Sequence, residues 1–161
     1  LHSFPTRRSS DLDDKGRKMQ KTEKYDDNLV NVLKGDGIAR CVLDKYENLS
    51  VSDLDVIKKD MGEGSWGVRV VCNELFGGVL IKQLPGEGNR LHYHADADEC
   101  WVILEGQWEW YISGEGWRKV KPKDIVVVKK NTEHKIRCIG DKPGIRFAIT
   151  RPNVGHTYVE E

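Results

Sequence analysis

The chain has 161 residues, and its 26 Lys and Arg residues balance its 26 Asp and Glu residues, so the formal net charge is zero. The length suggests one domain with a substantial core, and the charge balance gives no electrostatic case for a nucleic acid or a membrane surface as partner. No apolar run approaches the roughly 20 residues of a membrane-spanning helix, and the beginning lacks the apolar segment of a secretory signal.

The chain opens with LHSFPTRRSSDL, which resembles one reading frame of a widely used short-read sequencing adapter. Residues 1–12 are therefore predicted to be non-native and to carry no information on fold or function. A disordered basic leader is the alternative. Residues 13–27 are charged and nearly free of aliphatic side chains, which predicts a disordered leader there as well.

Two short helices are predicted in an N-terminal extension that covers residues 28–66. The first follows Asn28 in NLVNVL, and the second lies in SDLDVIKKDMG. Ser52 is a candidate cap for the second helix, and Gly62 follows its end. The apolar residues at helical spacing in this segment are Leu54, Ile57 and Met61.

From Gly67 onward the pattern changes to short β-branched or aromatic segments, most of them alternating. They read VRVVCNELF, VLIKQL, ECWVILEG, QWEWYIS, DIVVV, HKIRCI and IRFAIT. Turn signals such as FGG, PGEGN and GDKPG separate them. Strands at about ten-residue spacing with no intervening helix predict an all-β fold, an antiparallel sandwich or barrel. We place this domain at residues 67–154 and a tail at residues 155–161.

Four cysteines lie about thirty residues apart, and none of them belongs to a CxxC pair. This spacing is typical of free thiols and not of a disulfide framework or a zinc knuckle. The sequence therefore predicts a protein of a reducing compartment, with the cytoplasm as the default.

A histidine pair in the segment LHYHADADECWVILEG suggests a metal site. In a strand, His92 and His94 project from the same face, and Glu99 follows after a turn. His134, in NTEHKI, begins a later strand. Three imidazoles and a carboxylate suit Fe(II), Mn(II), Ni(II) or Zn(II), and the lack of a thiolate argues against a closed structural zinc site. Two solvent-facing histidines on an ordinary strand are the alternative.

The same segment resembles the first motif of the cupin superfamily. That motif contains a glycine, five residues, HxH, three or four residues, a glutamate, six residues and a second glycine. Its positions are filled here by Gly86, His92, His94, Glu99 and Gly106.

The second cupin motif is matched less strictly. Gly116 and Pro122 have the expected separation, but Asp124 stands where the motif has glycine, and His134 comes ten positions later. This form is similar to that of small single-domain bacterial cupins. The departure puts the turn geometry in doubt and leaves the third histidine in place.

The resemblance covers about residues 68–152 and implies a jelly-roll β-barrel that holds one divalent metal ion, Fe, Mn, Ni or Zn. It implies that His92, His94, Glu99 and His134 are the ligands. Family habit also implies a homodimer. Cupin sites support dioxygenation, isomerisation, decarboxylation and lyase chemistry, and some members only bind a ligand, so the fold does not choose among these functions.

Aromatic and cationic residues are candidates for substrate binding. Strand parity places Trp101 on the face of Glu99, and Trp110 belongs to the next strand, so both are candidate pocket residues. Filling of the barrel core or a dimer face is the favoured interpretation of the tryptophans, and Trp101 is the best pocket candidate among them. Lys82 and Arg146 interrupt apolar strands and are candidates to clamp an anionic substrate, although the sequence favours a solvated position on an outer face for both. His156 is predicted to be a surface histidine.

These observations predict a metal-dependent enzyme, of dioxygenase, isomerase or lyase type, that acts on a small polar or anionic metabolite. No acid–base residue can be named from the sequence. The alternative is a non-catalytic, metal-dependent sensor or sugar-binding module. A transcriptional regulator is disfavoured, because residues 28–62 lack the basic face of a recognition helix.

Overall fold

The structure is a computed structural model that describes residues 15–17 and 23–161, with side chains from Asn28 onward and in the first of these segments. The predicted adapter segment, residues 1–12, lies outside the described residues, as do residues 13–14 and 18–22 of the predicted leader. Residues 23–27 have regular backbone structure, although their composition predicted disorder. Within the described ranges, no helix is long and apolar enough to cross a membrane.

The N-terminal part contains both of the predicted helices and two short strands. In chain order these are β1 (Glu23–Lys24), α1 (Tyr25–Gly35), β2 (Arg40–Val42) and α2 (Leu54–Met61). Asp53, and not Ser52, caps α2, because its carboxylate accepts hydrogen bonds of 2.8 and 3.1 Å from the backbone N–H groups of Asp55 and Val56. Gly62 follows the end of α2 with a φ of 73°.

Ten further strands complete the fold. They are β3 (Trp66–Cys72), β4 (Gly77–Gln83), β5 (Gly88–Tyr93), β6 (Glu99–Glu105), β7 (Gln107–Ile112), β8 (Gly116–Val120), β9 (Ile125–Val128), β10 (His134–Ile139), β11 (Gly144–Thr150) and β12 (Gly155–Tyr158). The sequence pattern did not predict β8, whose three central residues, Trp117, Arg118 and Lys119, are exposed. The segment predicted to be a tail contains β12.

The strands form two six-stranded sheets, which confirms the predicted all-β fold. The first sheet has the order β1-β12-β5-β10-β7-β8, and the second has the order β2-β3-β4-β11-β6-β9. From β4 to β12 consecutive strands alternate between the sheets, except that β7 and β8 share the first sheet, and this crossing between layers is that of a jelly roll. Gly106 allows the tight turn between β6 and β7, with a φ of 74°, and a Cβ there would lie 2.5 Å from the Cα of Gly144.

Two apolar clusters hold these layers together. The larger cluster lies between the two sheets and includes three fully buried tryptophans, Trp101, Trp108 and Trp110. The smaller cluster lies on the outer face of the second sheet, where Ile57 and Met61 of α2 cover it. The second sheet is therefore buried on both faces along part of its length, and the first sheet is buried mainly on its inner face.

Candidate metal centre

Four buried polar residues meet at one end of the space between the sheets. His92 belongs to β5 and His94 follows that strand directly, while Glu99 and His134 are the first residues of β6 and β10. The antiparallel pairing of β5 with β10 places His92 directly opposite His134. One potential ligand atom from each of the four residues lies within 4.8 Å of the others. We call these four residues the ligand cluster.

The Nδ1 atom of each histidine in the ligand cluster is hydrogen-bonded to a backbone carbonyl oxygen. The distances are 2.8 Å from His92 to Arg90, 2.7 Å from His94 to Gly155 and 3.0 Å from His134 to Thr132. A carbonyl oxygen only accepts, so each Nδ1 carries a proton. The Nε2 atoms of His92 and His134 keep their lone pairs, whereas Nε2 of His94 donates to the carboxylate of Glu99 until a metal ion displaces that proton. This backbone arrangement is the one that orients histidines for metal ligation through Nε2.

Within the described part of the chain, two of the three Nε2 atoms lack the hydrogen-bond partners that buried polar atoms normally have. Those of His92 and His134 are buried and have no hydrogen-bond partner among the described residues. The Nε2 of His94 lies 2.6 Å from Oε2 of Glu99, and that of His134 lies 3.8 Å from the same oxygen. A divalent cation would satisfy the two orphaned nitrogens and the carboxylate together, so the donor set fits a metal.

The electrostatics of the ligand cluster favour an ionised carboxylate among imidazoles. Burial opposes the charge on Glu99, but the neighbouring His94 and His134 outweigh it and hold its pKa below the usual range. Burial and the other histidines lower the pKa of His92 well below its usual value. Burial also acts against the charged form of His94, yet the charge and hydrogen bond of Glu99 raise its pKa.

Comparison with protein families shows which family the strands that carry the ligand cluster belong to. Residues 79–150, which include all four residues of the ligand cluster, match the family described as cupin domain. The chain contains a cupin domain. The two-sheet fold and the position of the ligand cluster within it agree with the fold that the sequence motif implied.

Solved structures share this cupin fold at low sequence identity. A conserved protein with a double-stranded β-helix domain from Klebsiella pneumoniae has a TM-score of 0.60 and 18% identity, over 71% of this chain and 93% of that chain. TT1209 from Thermus thermophilus has a TM-score of 0.56 and 22% identity, over 65% and 98%. KdgF from a Halomonas species has a TM-score of 0.51 and 22% identity, over 58% and 84%. No curated protein matches the chain significantly.

The two candidate tryptophans of the cupin domain lie in a row that leads away from the ligand cluster. The ring of Trp101 lies 5.3 Å from that of His134, nearly perpendicular to it, and 5.5 Å from the ring of Trp110. Both are buried among the apolar residues between the sheets. Trp101 therefore contacts a candidate ligand, whereas Trp110 packs behind it as part of the core.

Lys82 lies away from the ligand cluster. Along β4, Val79 and Ile81 face the barrel interior, so Lys82 faces the outer layer beneath α2. It is buried, and its ammonium group lies 3.3 Å from the carbonyl oxygen of Gly62 and 3.8 Å from a carboxylate oxygen of Glu63. The solvated alternative for Lys82 is therefore wrong.

Arg146 faces the barrel interior, but near its opposite end. Its guanidinium donates a hydrogen bond to Oε1 of Gln83 and lies 4.6 Å over the ring of Trp108. It is pairwise aligned with Ile103 on β6, whereas Thr150, four residues further along β11, is aligned with Glu99. At about 3.3 Å per residue, about 13 Å of strand separates Arg146 from the ligand cluster. The solvated alternative is wrong here too, because Arg146 is buried.

His156 is the residue that the sequence-based prediction missed, because it is buried beside the ligand cluster and not on the surface. Burial, with His94 as the next cause, lowers its pKa to about 3. A signal was present in the sequence, since Val154, His156 and Tyr158 alternate as inward-facing strand residues do, and all three are buried. The short run and its position near the chain end concealed this pattern.

Proposed function

We propose that this cupin domain binds one divalent metal ion, Fe, Mn, Ni or Zn, through His92, His94, Glu99 and His134, and that it is a metal-dependent enzyme. The observation that carries the proposal is the hydrogen bond of each of the three Nδ1 atoms to a backbone carbonyl, which directs three Nε2 atoms toward one point beside a carboxylate. A solvent-exposed strand with incidental histidines would not need this arrangement.

The donor chemistry narrows the choice of metal. Three imidazole nitrogens and one carboxylate oxygen, with no thiolate, suit intermediate first-row ions better than Ca²⁺ or Mg²⁺, which prefer oxygen ligands. Four protein ligands leave positions for exchangeable ligands around a six-coordinate ion. Such an ion supplies Lewis-acid chemistry, or redox chemistry if it is iron.

The residues around the ligand cluster support a small substrate. Trp101 contacts His134 and excludes water on that side, and three buried tryptophans fill much of the barrel interior. We therefore propose a small polar or anionic metabolite as substrate, bound against Trp101, with chemistry of the dioxygenase, isomerase or lyase type. Glu99 and His94 would act by holding the ion, and no separate acid–base residue is assigned.

The second candidate is a non-catalytic module that binds metal and a small molecule, as a sensor or a sugar-type binding domain. A specific observation favours it. Lys82 and Arg146, the two cations considered for clamping an anionic substrate, both have protein partners away from the ligand cluster. With neither of these two candidate cations at the ligand cluster and no assigned acid–base group, the site fits ligand binding as well as it fits turnover.

Metal content tests the proposal directly. The protein would be purified without added metal and analysed for its elements, together with His94→Ala and, as control, Glu105→Gln. Glu105 is half-exposed on β6 and bonds to Lys58, far from the ligand cluster. We expect close to one metal ion per chain in the wild type and in Glu105→Gln, and loss of the ion from His94→Ala. Unchanged occupancy in His94→Ala would contradict the assignment.

Ligand and turnover assays then separate the two candidates. With iron bound, dioxygen uptake across a panel of small acids and sugars would support the oxygenase type, and product formation without uptake would support an isomerase or lyase. Thermal stabilisation by the same compounds without turnover would support the binding module.

We also propose that the protein is a homodimer and that it resides in a reducing compartment, the cytoplasm. Ile125 and Val127, on the edge strand β9, expose 66% and 56% of their side chains, which suits an interface with a second copy. Cys41, Cys100 and Cys138 are free thiols, as expected of a protein in a reducing environment.

A further inference from the structure

The last strand of the cupin domain runs beside the ligand cluster. β12 is antiparallel to β5, with Thr157 aligned to Tyr93 and Tyr158 aligned to His92. Side chains two residues apart share a face, so His156 faces inward together with Tyr158. Its side chain is buried there, which brings a fourth imidazole to the edge of the ligand cluster.

The ring of His156 packs on two of the three candidate ligands. It is nearly parallel to the ring of His92, with centroids 4.8 Å apart and an angle of 14°. It meets the ring of His94 edge-on, with centroids 4.3 Å apart and an angle of 81°. These separations equal those between the ligand rings themselves, which range from 4.3 to 5.3 Å. The ring nitrogens of His156, however, lie outside the ligand cluster.

The backbone of β12 is also tied to the site. The carbonyl oxygen of Gly155 accepts the hydrogen bond from Nδ1 of His94, at 2.7 Å. The N–H group of the same Gly155 donates to a carboxylate oxygen of Asp96, at 3.2 Å, in the turn that joins His94 to Glu99. The strand β12 therefore acts on the site in three ways. Its backbone holds the Nδ1 proton of His94, its His156 ring contacts the rings of His92 and His94, and its Gly155 anchors the turn between His94 and Glu99.

We propose that His156 is a positioning residue of the metal centre, whose ring holds the imidazoles of His92 and His94 in the orientation that ligation requires. The inference rests on the proposed metal binding. The second side-chain torsion of histidine is broad, so a single Nδ1 hydrogen bond leaves each ring free to swing about it. Packing of a planar ring on both imidazoles removes that freedom and pre-organises the two Nε2 atoms.

Cobalt(II) loading provides a test that does not depend on activity, because its absorption bands report the geometry of the ligands. The wild type, His156→Ala, His156→Phe and a control, Met61→Ala, would be loaded with Co²⁺, and affinity would be measured by competition with a chelator. Met61, the last residue of α2, is buried between that helix and the outer face of the second sheet, so its truncation leaves a cavity remote from the ligand cluster.

We expect His156→Ala to weaken Co²⁺ binding by about ten-fold or more and to shift the absorption bands, as loss of an outer partner of a metal ligand does. His156→Phe keeps a planar ring in place and should restore most of the affinity and the wild-type bands. Met61→Ala should lose thermal stability but keep the wild-type spectrum. His156→Leu, which fills volume without a planar ring, replaces the alanine variant if that variant does not fold.

The outcomes separate the two proposals. Failure of the wild type to bind Co²⁺ would refute the proposed function itself. Binding by the wild type with an unchanged spectrum and affinity in His156→Ala would refute the positioning role. Equal losses in His156→Ala and His156→Phe would also refute it, because the ring nitrogen and not the ring packing would then be what the metal requires.

Discussion

The Nε2 atom of His94 lies 2.6 Å from Oε2 of Glu99, and both atoms belong to the ligand cluster. The two residues are joined by a turn of four residues, so the chain brings them together locally. Their contact uses the same lone pairs that a metal would use, so metal and proton compete for this pair. The centre is therefore closed by an internal hydrogen bond that the ion must replace.

Replacement of the carboxylate should weaken metal binding more than a change elsewhere on the strand. Glu99→Gln removes the negative charge and leaves an amide oxygen, a poorer ligand, so we expect affinity to fall at least about ten-fold. Chelator competition measures the effect. Glu105→Gln, the same change on the same strand, should have wild-type affinity, and equal affinities of all three proteins would contradict the assignment of Glu99.

The metal-free protein should lose stability in mild acid. The pKa of His156 is about 3 when folded against 6.5 ordinarily, and that of His92 is lowered in the same direction. The unfolded state then binds more protons between these pH values, so the free energy of unfolding falls as the pH falls from about 6.5 to about 3. The raised pKa of His94 makes the free energy of unfolding rise as the pH falls, but this is one group against two whose pKa values are lowered.

Thermal unfolding in the presence of a chelator, across that pH interval, measures this dependence. His156→Phe cannot take up the proton, so its melting temperature should depend less steeply on pH than that of the wild type. Identical slopes would show that His156 is not held neutral by burial.

A paramagnetic metal should quench the fluorescence of Trp101, whose ring lies 5.3 Å from that of His134. We expect Co²⁺ or Cu²⁺ to reduce the emission of the wild type strongly and that of Trp101→Phe clearly less. Trp117 is 46% exposed and stacks on Tyr111 on the outside of the first sheet, so Trp117→Phe is the matched control. Quenching that survives in Trp101→Phe at the wild-type fraction would place the ion elsewhere.

Arg146 should act on stability and not on metal binding. Arg146→Met keeps the length and bulk of the side chain but leaves Oε1 of Gln83 without its donor, which costs about 1–3 kcal/mol of unfolding free energy. Chemical denaturation measures this cost, and chelator competition should give wild-type affinity. If the variant lost binding of an anionic metabolite at unchanged stability, Arg146 would instead be a substrate residue.

The proposed homodimer can be tested at the exposed edge strand. Ile125→Lys with Val127→Lys introduces two charges on the outer face of β9 without changing its buried neighbours Val126 and Val128. We expect size-exclusion chromatography with light scattering to show a dimer for the wild type and a monomer for the double variant, with metal content retained. A monomeric wild type would refute the dimer.

Much of the fold was determined by local pattern. Period-two alternation predicted most of the strands, and the spacing that includes Gly106 predicted a cupin domain, which the family match confirmed. Prediction from the local sequence pattern failed where that pattern is weak. The short strand β8 shows no clear apolar alternation and is exposed at its three central residues, and Ser52 and Asp53 are adjacent cap candidates that only the geometry distinguishes.

The sequence by itself indicated which side chains form the ligand cluster. Strand parity puts the two histidines of HxH on one face, the glutamate follows them closely in the chain, and the resemblance to the cupin motifs added His134. Only the tertiary structure decided the surroundings. Lys82 and Arg146 looked alike as cations in apolar strands, yet they face opposite sides of the second sheet. His156 reaches His94 from 62 residues further along the chain, and such a contact depends on how β12 pairs with β5, which no local pattern encodes.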